Sequence, residues 1–329
     1  MAMSNFDSEK KQKKSEGSLF SERDYDLIII GGGPAGLTAG IYAARGRLKT
    51  LLIGKLVPGG QVASTEWVEN YPGFPEGVSG MELVKKMNEQ AQKFGMEVLL
   101  DEVKSVDFQG QVKVVQTSDK EFRSLALVIA TGTDYKKLNV PGEEKFKGRG
   151  VSYCATCDGP FFKEKDIAVI GCGNSGLQEG LFLLKFVKSI SFIEFLPQMT
   201  AEKILQERVT QDPRNKFYLN SLVTSINGEN KVESVSIKIR ETQEKKDIPV
   251  QGVFIFAGMI PNTQFLQGKL ELNKWGYVKT NENTETSVLG VFAAGDAREK
   301  ILQQITTATS DGSIAAFMVE KYIEKLLHK

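Results

Sequence analysis

Asp26-Leu-Ile-Ile-Ile30-Gly31-Gly-Gly33-Pro34-Ala35-Gly36-Leu37, running on to Arg45, decides how the chain is read. A short apolar run meets a glycine-rich turn, and the residues from Leu37 to Arg45 then take helical spacing. Gly31, Gly33 and Gly36 fall at the G-x-G-x-x-G positions. The first glycine permits the tight turn, the second lets backbone approach a pyrophosphate, and the third lets helix pack close on strand. The N-terminus of the helix then faces phosphate charge.

The same order recurs at Ile167-Ala-Val-Ile170, Gly171-Cys-Gly173-Asn174-Ser175-Gly176 and a helix beginning at Leu177. Strand, glycine turn and helix used twice predict an α/β protein with two Rossmann-like dinucleotide-binding domains and parallel sheets. Between the turns, a helix is expected over 80–94 and strands near 97–100, 111–117 and 126–130. Beyond the second turn, strands are expected at 232–240 and 253–256, and a terminal helix over 314–327. The fingerprint also asks for an acid about 20 residues on, to hold a ribose hydroxyl. The first unit has Leu51-Leu-Ile-Gly54 there and offers none. The second has Ser191-Phe-Ile-Glu194, so Glu194 is either that ribose acceptor or an exposed charge at a strand end.

The chain has 329 residues, room for two domains of ordinary size, with 42 Lys and Arg against 41 Asp and Glu. That balance does not suggest a nucleic-acid-binding face. No apolar run approaches the ~18 residues of a membrane span. Residues 1–23 are polar and lysine-rich, expected as a disordered tail. The single histidine, His328, is next to last, which leaves no Ser-His-Asp triad or histidine metal site, and no metal is expected.

Of three cysteines, two form Cys154-Ala-Thr-Cys157, followed by Asp158-Gly-Pro. So few cysteines suit a cytoplasmic protein with one redox pair better than a secreted scaffold. A structural zinc would need two more soft ligands, and Cys172 alone cannot complete it. The pair is either a redox-active couple working by thiolate exchange or two inert thiols. Asp158 is either the acid/base beside it or a turn residue before Gly159. Cys172 reads as a small residue in the second glycine turn.

These segments together resemble the low-molecular-weight thioredoxin reductase family. The resemblance runs from about Tyr25 to the end and rests on Gly31–Gly36, Gly59-Gly-Gln61, Glu69-Asn70-Tyr-Pro-Gly73, Ala130-Thr-Gly132, the stretch from Gly148 to Gly159, and Gly290-Val-Phe-Ala-Ala-Gly-Asp296. It implies FAD on a discontinuous domain of 24–134 and 260–329. Gly31, Gly33, Pro34, Ala35 and Gly36 would cradle its pyrophosphate, and Gly60, Gln61 and Asn70 would line the flavin side. Thr131 and Gly132 would close the adenosine side. Gly295 and Asp296 would meet the ribityl chain, and Gln303, Gln304 and Ile305 would approach the ring. An inserted domain of 137–257 would carry the cysteines and a nicotinamide dinucleotide on Gly171, Gly173, Asn174, Ser175, Gly176 and Glu194. The resemblance further implies that Cys157 takes electrons from flavin, Cys154 attacks the partner disulfide, and Asp158 moves the proton. A homodimer is implied as well.

One departure bears on the donor. Usual members carry His-Arg-Arg-Asp after the second strand, clamping the 2′-phosphate of NADPH. Here the run is Glu194-Phe-Leu-Pro-Gln-Met-Thr200, similar to the NADH-using flavoprotein subunit of alkyl hydroperoxide reductase. NADH is therefore expected over NADPH, with ferredoxin as another possible donor. That subunit has an N-terminal cysteine-bearing region of its own. With only a short leader here, an external thioredoxin or similar protein is expected as acceptor. A dithiol oxidase using oxygen and a flavin redox sensor are the competing readings.

Overall fold

A computed structural model describes residues 23–65 and 67–327. The expected tail before Arg23 and His328 lie outside them. The described residues pack as two compact units, one running up to Thr133 and resuming at Pro261, the other Asp134–Ile260.

The first unit opens with β1 (Tyr25–Ile30), α1 (Pro34–Arg45), β2 (Thr50–Gly54), α2 (Gly80–Lys93) and β3 (Glu97–Leu100). It continues through β4 (Val103–Asp107), β5 (Lys113–Thr117) and β6 (Glu121–Ile129). β7 (Thr133–Tyr135) leads into the second unit. That unit holds β8 (Val151–Ser152), a one-turn helix α3 (Ala155–Asp158), β9 (Asp166–Ile170), α4 (Asn174–Leu183), β10 (Ser189–Ile193), α5 (Lys203–Gln211) and β11 (Asn215–Tyr218). It ends with β12 (Ser221–Asn227), β13 (Ser234–Ile239), β14 (Lys245–Pro249) and β15 (Gly252–Ile255). β16 (Met259–Pro261) leads back to the first unit, which finishes with β17 (Val291–Ala293) and α6 (Ile305–Leu327).

In the first unit the sheet order is β3-β2-β1-β6-β5-β4. The strands around β1 are parallel, and β4 and β5 are antiparallel additions. β6 is long enough to pair with β5 along Glu121–Ser124 and with β17 along Leu127–Ile129. A strand central to a parallel sheet must be apolar on both faces, which explains the unbroken run in β1. Leu27 and Ile29 pack toward α1, α2 and α6, while Ile28 and Ile30 pack toward Val106, Val115 and Leu127. Burying each such side chain contributes roughly 1.5–3 kcal/mol.

The second unit repeats the plan with an all-parallel sheet, β11-β10-β9-β15-β8, and adds an antiparallel ribbon β12-β13-β14. Among the described residues, no helix is long and apolar enough to cross a membrane.

Two elements differ from expectation. α6 begins at Ile305, nine residues before the expected 314. Its first turns, Thr306-Thr-Ala-Thr-Ser-Asp-Gly312, are weak helix formers. Tertiary packing overrides that weakness, since Ala308, Gly312, Ala315, Ala316 and Val319 are all buried. Gly312 lies so close to α1 that an added Cβ would sit 2.2 Å from the Ala35 carbonyl oxygen. β6 starts at Glu121 rather than near 126, because Glu121 and Arg123 face solvent and hide its first half from a reading of apolar runs.

Candidate active site

The first glycine turn is shaped by backbone that leaves no room for side chains. Gly31 has φ +113°, and a Cβ there would lie 2.2 Å from the Ala130 carbonyl oxygen. A Cβ on Gly36 would lie 2.0 Å from the Gly31 carbonyl oxygen. Gly33 behaves differently. It is the N-cap of α1 with φ −75°, and a Cβ there would meet no protein atom within 4 Å. Pro34 occupies the first turn, where its missing N–H costs nothing. The free N–H groups of the α1 N-terminus thus open onto space that Gly33 keeps clear.

Residues far apart in sequence converge on this turn. Thr131 lies beside Gly31, Gly60 beside Gly33, and Gly295 beside Ala35. Asn262 fixes the 131–132 segment, its N–H donating to the Gly132 carbonyl at 3.0 Å and its side chain to that of Thr131 at 3.3 Å. Gln61 donates to the Thr133 carbonyl. Asn70 donates to Gln304 Oε1 at 3.1 Å, joining two expected flavin-side residues. Gln304, Ile305 and the adjoining Gln303 are partly buried at the start of α6.

Two buried oxygens here accept and donate no hydrogen bond, Thr131 Oγ1 and Asp296 Oδ1. Native interiors rarely leave such groups unpaired. A cradle that a methyl group would fill, bordered by the unpartnered Thr131 hydroxyl and the Asp296 carboxylate, whose buried Oδ1 has only the Lys300 ammonium at 3.5 Å beside it, fits a ligand with a pyrophosphate and polyol chain. FAD has both.

The second turn matches the first. Gly171 has φ +105°, and a Cβ on Gly176 would lie 2.0 Å from the Gly171 carbonyl oxygen. Gly173, N-cap of α4, keeps open space that only Thr200 Oγ1 borders, at 3.6 Å. Ser175 is exposed, while Asn174 accepts the Glu202 N–H at 2.7 Å and so ties α4 to α5. Glu194 is 8% exposed, not an exposed strand-end charge. Its carboxylate accepts the Cys172 N–H at 2.6 Å and the Leu196 N–H at 2.9 Å, bracing the turn against the tip of β10. Each oxygen keeps a second lone pair for a ribose hydroxyl. Phe195 and Leu196 beside it are exposed. The Arg240 guanidinium stacks 4.0 Å over the Phe195 ring and donates to the Phe195 carbonyl.

Cys154 and Cys157 are joined by a disulfide at the start of α3. Cys154 caps that turn, its Sγ accepting the Cys157 N–H at 3.2 Å. A negative charge on that sulfur would be stabilised by the same donor. Cys157 is the more exposed of the two. Ser152 holds the Cys154 backbone on both sides, accepting its N–H at 3.0 Å and donating to its carbonyl at 3.1 Å. Tyr153 donates to Glu143 at 2.5 Å, and the buried Glu143 also accepts the N–H groups of Leu138 and Asn139. Burial first, then that bond to Glu143, pushes the Tyr153 hydroxyl well above the usual phenol range. α3 leads straight into Gly159, where a Cβ would press on Leu183 of α4 at 3.0 Å. The disulfide is therefore mounted against the helix that follows the second glycine turn. Cys172 is fully buried, and burial, then the Glu194 charge, pushes its thiol up to about 12.

Sequence reasoning missed Glu143, Ser152 and Arg240, and also Arg298, Lys300 and Asp311 behind Asp296. Asp311 had a signal, a lone carboxylate on an apolar helical stripe, but that stripe lay ahead of the expected start of the last helix.

Two glycine cradles on parallel sheets, one unit bearing a disulfide on its surface, define a dinucleotide-dependent disulfide oxidoreductase. Residues 25–312 match the family described as Pyridine nucleotide-disulphide oxidoreductase. A thioredoxin reductase of Bacillus subtilis is 46% identical over 309 residues, covering 94% of this chain and 98% of that protein. The crystal structure of Lactococcus lactis thioredoxin reductase is similar with a TM-score of 0.90 at 39% identity, covering 92% of this chain and all of that one. That of the T. acidophilum enzyme gives 0.87 at 36% identity, covering 93% and 100%. The chain belongs to the thioredoxin reductases of the pyridine nucleotide-disulphide oxidoreductase family.

Proposed function

We propose that this chain is an FAD-dependent thioredoxin-disulfide reductase that draws electrons from NADH in preference to NADPH. The observation that carries the reading is the Cys154–Cys157 disulfide, mounted beside a dinucleotide turn. In this reading Gly31 to Gly36, Gly60, Thr131, Gly132 and Asp296 hold FAD, and Gly171 to Gly176 with Glu194 hold the nicotinamide dinucleotide. When bound, FAD supplies a carrier that passes an electron pair from the nicotinamide to the cysteine disulfide.

The chain's own residues do the rest. Two electrons and two protons convert the Cys154–Cys157 disulfide to a dithiol. The Cys154 thiol gives its proton to Asp158, and the resulting thiolate, favoured by the Cys157 N–H, attacks one sulfur of the oxidised thioredoxin. A mixed disulfide forms and the other thioredoxin sulfur leaves as a thiolate, which takes a proton from Asp158. The Cys157 thiol then gives up its proton by way of Asp158 and attacks Cys154 Sγ, which re-forms the internal disulfide, and the second thioredoxin sulfur leaves and takes that proton. One NADH and one proton are consumed per thioredoxin reduced.

The donor preference is supported by Glu194. A 2′-phosphate would approach a buried carboxylate already braced by two N–H donors, with Phe195 and Leu196 where related chains place arginines. Losing those charge-assisted bonds and meeting a like charge each cost on the order of 1–3 kcal/mol, together at least about tenfold in affinity. The same reading makes the protein a cytoplasmic homodimer.

The test is thioredoxin reduction under saturating NADH by wild type, Cys154→Ser and Cys157→Ser, with NADPH and reduced ferredoxin as alternative donors. Turnover by wild type alone, with NADH at least about tenfold more efficient than NADPH, is expected. Turnover by either serine variant refutes the disulfide relay, and efficient use of NADPH at micromolar levels refutes the role given to Glu194.

A further inference from the structure

Asp296 sits on a buried ionic network that lies behind the first glycine cradle. Lys300, its side chain only 7% exposed, places Nζ 3.5 Å from Asp296 Oδ1 and 3.1 Å from Asp311 Oδ2. It also donates to Thr307 Oγ1 at 3.2 Å. Asp311 in turn accepts three donors on one oxygen: Lys300, Arg298 Nε at 3.0 Å and the Gly295 N–H at 3.0 Å. Arg298 is completed by Thr280 at 2.6 Å. The network balances two carboxylates with two cations. Of the other elements packed on this turn, α1 contributes Ala35 and β17 is apolar, while Glu299, and Lys279 on the segment bonded to Ala297 and Glu299, face solvent.

Within this arrangement the two carboxylates have different surroundings. Asp311 Oδ2 accepts three donors. Asp296 Oδ1 is buried with no hydrogen bond, and Lys300 is the cation beside it. A ligand hydroxyl can donate to Asp296, and the ionised carboxylate accepts on both oxygens, whereas protonation turns one of them into a donor. We propose that Lys300, held in place by Asp311 and Thr307, is a positioning residue that keeps Asp296 ionised for the hydroxyls of a bound polyol chain. The inference rests on the FAD reading above and assigns that chain to the ribityl part of FAD. Burial, and then the nearby Asp311 charge, push the Asp296 carboxyl upward, while Lys300 is what pulls it back.

The sign follows. With Lys300 removed, both influences that raise the Asp296 carboxyl act unopposed, so it takes up a proton as the pH falls, loses its acceptor and releases FAD. With Asp311 neutralised, one raising influence goes and Lys300 remains, so no acid limb appears. A purely architectural role would weaken FAD binding equally in both variants and at every pH.

The experiment follows spontaneous FAD release from the holoenzyme by the rise in flavin fluorescence, from about pH 5.5 to 8.5, in wild type, Lys300→Met, Lys300→Arg and Asp311→Asn. Wild type, Lys300→Arg and Asp311→Asn are expected to give flat profiles. Lys300→Met is expected to release FAD faster as the pH falls, with a limiting slope near about tenfold per pH unit. Adding Asp296→Asn to Lys300→Met should abolish that slope. If Lys300→Met does not fold, Lys300→Gln, which retains a donor to Thr307 without the charge, carries the same expectation. A flat profile in the neutral variant, or equal acid limbs in Lys300→Met and Asp311→Asn, overturns the proposal while leaving the FAD reading intact. A wild-type protein that takes up no FAD overturns both.

Discussion

Replacing Gly33 by alanine separates binding from folding in a way that its neighbour Gly36 cannot. At position 33 the backbone has φ −75° and ψ −178°, an extended conformation open to any residue, and the new methyl would meet nothing within 4 Å. The protein alone should therefore tolerate it. By restricting the unfolded chain, Gly→Ala at a compatible site adds roughly 0.4–1 kcal/mol of stability, which the poorer fit of alanine than glycine at an N-cap offsets by about the same amount. The methyl would instead occupy the mouth of the cradle, at the N-terminus of α1. Forcing a pyrophosphate away breaks charge-assisted bonds of about 1.5–3 kcal/mol each, or roughly 10- to 150-fold in affinity for every bond lost. At position 36 the methyl would lie 2.0 Å from the Gly31 carbonyl, a backbone atom that cannot rotate aside. Overpacking of that kind costs typically about 1–3 kcal/mol whether or not a ligand is bound. Thermal unfolding of the apoproteins, with fluorescence titration of FAD, reads both quantities. Gly33→Ala should unfold close to the wild-type temperature yet bind FAD far more weakly, while Gly36→Ala should unfold earlier even as apoprotein. Wild-type FAD affinity in Gly33→Ala would refute the placement of the pyrophosphate, and an unstable Gly33→Ala apoprotein would refute the reading of open space.

Gly312→Ala should destabilise the first unit, because its methyl would lie 2.2 Å from the Ala35 carbonyl oxygen and 3.0 Å from the Ala39 nitrogen. Overpacking of about 1–3 kcal/mol, partly offset by up to ~1 kcal/mol of helix propensity, should lower the unfolding temperature by about 2–4 °C per net kcal/mol, read by calorimetry. Of the three cysteines, only two should react with iodoacetamide in the reduced native protein. Cys172, buried and with its thiol pushed up to about 12, should label only in denaturant, as mass spectrometry would show.

The fold was legible where a local pattern and its tertiary role coincide. The apolar runs of β1 and β9 are buried on both faces, and the glycines after them stand where a Cβ would strike backbone, so sequence and packing make the same demand. The Cys154–Cys157 disulfide was legible because four adjacent residues carry it. The start of α6 was not. Thr306 to Gly312 favour loop locally and become helical only by packing against α1, a contact between residues some 270 positions apart. The same long-range contact buries Asp311, so the network behind Asp296 stayed hidden with it. Glu194 was found by its spacing, yet its bonds to Cys172 and Leu196 belong to the folded turn and leave no trace in a pattern of residue types.

The most direct check on the relay is an anaerobic reductive titration of the purified yellow protein with NADH, followed by flavin absorbance. Flavin and disulfide each store an electron pair, so wild type should consume about two equivalents per chain before full bleaching. Cys154→Ser and Cys157→Ser should each consume about one, since only the flavin is left to accept electrons. One equivalent in the wild type, with both thiols still unavailable to alkylation after bleaching, would contradict the passage of electrons to Cys154 and Cys157.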